Sequence, residues 1–118
     1  ELTGYGQRPR DMTGLGMEVS RAFQRFHREE RDGRIGLHSL SPFLMYHDLR
    51  RVYRLVHVMC GQINAADWLG VVVLASPTDR ELAILTQVVD GLIRTRDTDS
   101  GRELCVRGLG TDRDWHPY

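Results

Sequence analysis

The sequence contains no lysine; all sixteen Lys+Arg residues are arginine. Within this chain that removes Schiff-base chemistry and the phosphate-contacting lysine of a P-loop, and the pattern GxxxxGK[ST] is absent as well. Cysteine is scarce: Cys60 and Cys105 are too few for a disulfide scaffold and suit a reducing, cytoplasmic setting. Net charge is missing too, since sixteen acidic residues balance the arginines. Bulk attraction to phosphate is therefore no driving force, and nucleic acid is an unfavoured partner. No apolar run reaches the length of a membrane span, and no charged-then-apolar start resembles a signal peptide. The chain opens on Glu1 rather than methionine, which reads as an upstream sequence out of view. At 118 residues, 41% hydrophobic and 27% charged, it has the size and composition of one soluble domain.

What is present alternates in period. Residues 1–10 carry Gly4, Gly6 and Pro9 and no apolar rhythm, so they read as irregular. Asp11 or Thr13 is placed to cap a helix over 15–31, whose Leu15, Val19, Ala22, Phe23 and Phe26 recur at helical steps and which Asp32-Gly33 would end. Residues 34–40 read as a strand, Ser41-Pro42 as a break, and 43–46 as a short helical turn. Asp48 caps the strongest helix, 49–64, where Val52, Tyr53, Val56, Met59, Cys60 and Ile63 form a stripe that Leu55 and Val58 widen. The unbroken apolar run 69–75 predicts a strand buried on both faces of a parallel sheet. Thr78 and Glu81 have capping-box spacing for a helix ending at Asp90-Gly91. Residues 92–96 and 103–107 flank a polar, glycine-containing turn and predict a hairpin, and 108–118 reads as an irregular tail. The order predicts an α/β domain spanning 1–118, with a mainly parallel sheet and a C-terminal antiparallel hairpin at its edge.

Candidate chemistry is thin. Five histidines lie on different elements; His57 and Cys60 stand three apart on one helix, but no CxxC or HExxH accompanies them, and no metal site is assigned. The run Glu29-Glu30-Arg31-Asp32 reads as a solvated helix end. Cys60 reads as a small buried hydrophobe, and Cys105 has no basic cluster to activate it. Thr13-Gly14-Leu15-Gly16 lacks the third glycine of a dinucleotide fingerprint and a strand before it. The informative segment is residues 34–41: a short apolar strand ending in His38 and Ser39. In α/β enzymes ligands bind beyond the carboxyl ends of the strands. A metal-organising acid is expected at such a place, and here it carries an imidazole.

Several stretches resemble one family in order. They are Asp11-Met12-Thr13-Gly14-Leu15-Gly16, Asp32-Gly33-Arg34-Ile35-Gly36-Leu37-His38-Ser39-Leu40 and Val52-Tyr53-Arg54-Leu55-Val56-His57-Val58-Met59, followed by 69–74, Val89-Asp90-Gly91-Leu92-Ile93 and 104–111. Together they are similar to the C-terminal part of a KaiC-like domain of the RecA superfamily, and more closely to the haloarchaeal HTR-like RecA-superfamily proteins. The resemblance implies a partial RecA-like three-layer fold whose P-loop half would precede Glu1. It places His38-Ser39 where KaiC-like ATPases carry the Walker B acid and a serine. It places Arg107-Gly108-Leu109-Gly110-Thr111 where they carry a Lys-Met-Arg-Gly-Thr segment that reaches a neighbouring subunit's nucleotide. His38, Ser39, Arg107 and Thr111 are thus the candidate nucleotide contacts, with no catalytic residue among them, and ATP is a cofactor only together with an upstream half. The expected role is a degenerate regulatory or signalling module that works through a protein partner or self-association. The rivals are an active KaiC-like ATP-binding protein with its P-loop upstream, and a nucleic-acid-binding module using Arg8, Arg10, Arg21, Arg25, Arg28, Arg31 and Arg34.

Overall fold

The computed structural model describes residues 11–110 and 113–118; the expected irregular start, 1–10, and Thr111 lie outside them. Asp11 caps α1 (Met12–Arg28), the Gly14 N–H donating to its carboxylate at 2.7 Å. The helix ends before Asp32-Gly33. Glu29 is its C-cap, Glu30 turns left-handed at φ 52°, and the Arg31 N–H returns to the Phe26 carbonyl at 2.9 Å. Arg31 and Arg25 both pair with Glu29 and hold its carboxyl below the ordinary 4.5.

β1 (Arg34–Leu37) leads into α2 (Ser41–Tyr46), with Pro42 in the first turn, where its missing N–H costs nothing. Asp48 caps α3 (Leu49–Ala66) by accepting from the Arg51 N–H at 2.8 Å. Asp67, at φ 57°, turns the chain into β2 (Leu69–Val72). β2 lies parallel to β1, with Arg34 opposite Leu69 and Leu37 opposite Val72, and the Val73 N–H continues the ladder to the Leu37 carbonyl at 3.0 Å. The capping box on α4 (Asp79–Leu85) is complete: the Glu81 N–H donates to the Thr78 hydroxyl and the Thr78 N–H to the Glu81 carboxylate. A single 3-10 turn, Thr86–Val88, follows.

The core lies on one side of the parallel pair. Met12, Leu40, Phe43, Val52, Val56 and Leu85 are buried there, with Leu37, Val72 and Leu74 of the strands packed onto them. A second cluster closes the corner between α1 and β2. Trp68 stacks on Phe23, centroids 4.2 Å apart, and meets Phe26 at 5.1 Å. Gly33 is set against that indole: a Cβ there would fall 2.5 Å from the Trp68 ring.

Four expectations are corrected. The run 69–75 is not covered on both faces; Leu69, Val71 and Val73 point outward, Leu69 62% and Val71 55% exposed. Val58 does not widen the inner stripe of α3 but stands 58% exposed, while Leu55 is half-buried. The hairpin does not extend the parallel pair, so the sheet is not mainly parallel. β3 (Leu92–Thr98) and β4 (Gly101–Arg107) pair antiparallel over their full length, and β4 takes β5 (His116–Pro117) as its other neighbour. The tail is therefore partly ordered. Trp115 underlies Arg96 at 3.9 Å and Arg94 at 5.9 Å, and the Tyr118 N–H donates to the Arg102 carbonyl at 3.1 Å. The molecule is mixed α/β, with a two-stranded parallel sheet and a three-stranded antiparallel one.

Candidate functional site

The carboxyl ends of β1 and β2 form the place singled out by the sequence. Alternation along β1 sends Ile35 and Leu37 towards the helices and leaves Gly36 and His38 on the exposed side. His38 directly follows the strand, and the His38–Ser39 peptide is cis. Among the described residues its imidazole has no hydrogen-bond or ionic partner. The Ser39 hydroxyl faces across to the neighbouring strand. It donates to the Val73 carbonyl at 3.2 Å, lies 3.1 Å from the Ser41 hydroxyl, and accepts from the Ser41 N–H at 3.1 Å. The Ser41 hydroxyl in turn accepts from the Ala75 N–H at 2.8 Å. The two serines thus staple the loop after β1 to the end of β2. Their hydroxyls satisfy the Ser41 and Ala75 N–H groups, and Ser39 shares the Val73 carbonyl with the Leu40 N–H.

Arg107 lies in the other sheet. It ends β4 opposite Leu92, is exposed, and has no acidic partner among the described residues. Gly108 follows at φ 83°, and a Cβ there would sit 2.7 Å from the Asp90 carbonyl oxygen, so only glycine lets the two loops meet. His38 and Ser39 are neighbours in the chain, and no hydrogen bond joins their side chains among the described residues. Among the described residues no hydrogen bond or ion pair joins either of them to Arg107, and Thr111 is outside the description.

The remaining chemistry-bearing side chains are dispersed. No group of three His, Cys, Asp or Glu converges among the described residues. Cys60, half-buried on α3, has its thiol pushed above the ordinary 9.0 by burial and then by the Asp90 charge. Cys105 is buried under the antiparallel sheet and donates to the Arg113 carbonyl at 3.2 Å. Two surface features escaped the sequence reading. One is the Arg94–Trp115–Arg96 stack, whose signal was the two-residue spacing of the arginines, which puts both on one face of β3. The other is a pair of shallow depressions between α1 and α3, one lined by Met17, Arg21 and Val58 and the other by Arg51, Leu55 and Val58.

Fold and site together define a small mixed α/β chain whose strand-end loops are internally bonded. The chain belongs to a family of unknown function, DUF7504, whose model matches residues 3–95. The match takes in the parallel pair and all four helices and ends within β3. No curated protein and no solved structure matches the chain. Among the described residues no helix is long and apolar enough to cross a membrane.

Proposed function

We infer that the chain is a degenerate RecA/KaiC-like module with a regulatory or signalling role, acting through protein contacts rather than ATP hydrolysis. One observation carries the reading. The carboxyl end of β1, the place that a metal-organising acid would take, ends in an exposed imidazole, and the adjacent hydroxyls are occupied in stapling backbone. A histidine offers a single nitrogen donor and no negative charge, whereas Mg²⁺ in nucleotide sites is held by carboxylates and phosphate oxygens. The lysine-free sequence supports the same reading. Protein contact is favoured by the outer face of the parallel pair, where Leu69, Val71 and Val73 are exposed and no helix among the described residues covers them. Parallel sheets are ordinarily covered on both faces.

The test is calorimetric titration of Mg²⁺-ATP into the 118-residue chain, with a phosphate-release assay beside it. The expected result is no tight binding and no turnover above background. Turnover clearly above background and abolished by chelating Mg²⁺ overturns the reading.

A further inference from the structure

We propose that β2 pairs antiparallel with β2 of a second copy of the chain, so that two parallel pairs join into one four-stranded sheet. The inference deepens the protein-contact reading and rests on it. The direction of the backbone in β2 carries the argument. The Val73 N–H donates to the Leu37 carbonyl at 3.0 Å, and the Val73 carbonyl accepts from the Leu40 N–H at 2.9 Å, so this residue turns both groups towards β1. Successive residues of a strand alternate. Leu69 and Val71 therefore also turn towards β1, and Gly70 and Val72 turn their groups to the opposite edge. On that edge they have no hydrogen-bond partner among the described residues. Val72 is half-buried, where an unpaired backbone group is costly.

This edge is also unguarded. Residues 68–78 hold no charged side chain. β3, the other strand with a free outer edge in its sheet, carries Arg94, Arg96 and Asp97. Charge on an edge strand is a common device against pairing with another chain, and here β3 has it and β2 does not. A second copy brings an edge that matches. Only residues that turn their groups outward can exchange them, so Gly70 and Val72 of one copy meet Val72 and Gly70 of the other. That register opposes Leu69 to Val73 and sets Val71 against its own counterpart on the two-fold axis. The exposed side chains of Leu69, Val71 and Val73 from both copies then gather on one face, with no like charges opposed. Both copies use the same patch, which closes the assembly as a dimer.

Sedimentation equilibrium of the 118-residue chain over a concentration series should show monomer and dimer and nothing larger. Val71→Lys and Val71→Glu change an exposed side chain outside the core. Each should weaken the dimer about fivefold or more, because like charges fall opposite each other. An equal mixture of the two should restore it, since opposite charges then meet. Val71→Cys should cross-link on mild oxidation, because a non-hydrogen-bonded antiparallel pair has its Cα atoms about 4.5 Å apart, within disulfide reach. Leu69→Cys should cross-link only when mixed with Val73→Cys. Peptide mapping separates these bridges from Cys60 and Cys105, and circular dichroism checks that each variant folds. Four results overturn the proposal: a monomer at every concentration, species beyond the dimer, no rescue on mixing the charged variants, or a bridge formed by Leu69→Cys alone. Because ATP turnover is measured separately, failure of this interface and failure of the non-catalytic reading are distinguishable.

Discussion

Gly33 shows what a single residue decides and why its reason was hidden. From the sequence it reads as the stop of α1, but the helix stops earlier on Glu29 and Glu30, and Gly33 has no left-handed φ. Glycine is needed there for room beside Trp68, a contact across 35 positions that no local pattern records. Gly33→Ala should therefore destabilise the chain by about 1–3 kcal/mol, the usual cost of forcing a packed neighbour aside. Denaturant unfolding checks this, and unchanged stability would count against the packing at that corner. Cys60, which the sequence reads as a small buried hydrophobe, is half-buried against the core, and its environment gives a pH prediction. Burial, aided by the Asp90 charge, favours the protonated thiol, so its thiolate forms only at a pH above that of a free cysteine. Alkylation of Cys60 in the folded chain should follow a pH curve displaced upward from that of the urea-unfolded chain. Asp90→Asn should bring it part of the way back. Coincident curves for the folded and unfolded chain would refute the burial.

At the scale of elements, the caps and the helical period were readable, because both are local. Asp11, Asp48 and the Thr78–Glu81 box each sit where a side chain can reach an N–H three residues on, and each makes that bond. The period of α3 correctly put Val52, Val56 and Met59 inside. Its failure at Val58 is instructive. Apolar character says which side chains are able to be buried, not how wide a face the neighbouring helix covers, and α1 leaves Val58 at the margin. Val56, 2% exposed, should tolerate no charge: Val56→Asp should cost about 3 kcal/mol or more, whereas Arg51→Ala should change stability by less than about 0.5 kcal/mol. Equal melting temperatures for the two variants would refute the burial pattern of α3. The hairpin was readable from its turn chemistry, but β5 was not. A two-residue strand in a polar tail has no period, and it is held by pairing with β4 and by Trp115 beneath two arginines from a strand twenty positions away.

Considered whole, the chain divides its strands between two sheets that share no hydrogen-bonded neighbour. The parallel pairing of β1 with β2 followed from their apolar runs and the helix between them. The separation of the hairpin from that pair did not, because which strands are neighbours is settled by distant contacts that strand propensity does not encode. The core is concentrated under the parallel pair, and β3 is exposed along nearly all its length. Among the described residues β2 has no strand beside it other than β1, and residues Leu69 to Val73 carry no charge. Uncharged open edges invite pairing with another chain. Sedimentation over a concentration series should therefore show self-association, and Val71→Lys should weaken it. A monomer at every concentration would remove self-association from the proposed role.

The two tryptophans happen to be divided between these parts, one in each. Trp68 lies among phenylalanines at the corner of the parallel pair, and Trp115 lies against guanidinium groups in the antiparallel sheet. The protein thus carries its own pair of optical reporters, in surroundings different enough to give separable emission. Replacing either indole with phenylalanine leaves a single fluorophore whose denaturation curve belongs to one sheet. Two coincident curves would mean that the sheets melt as one cooperative unit, and two separate midpoints would mean that the hairpin lets go on its own.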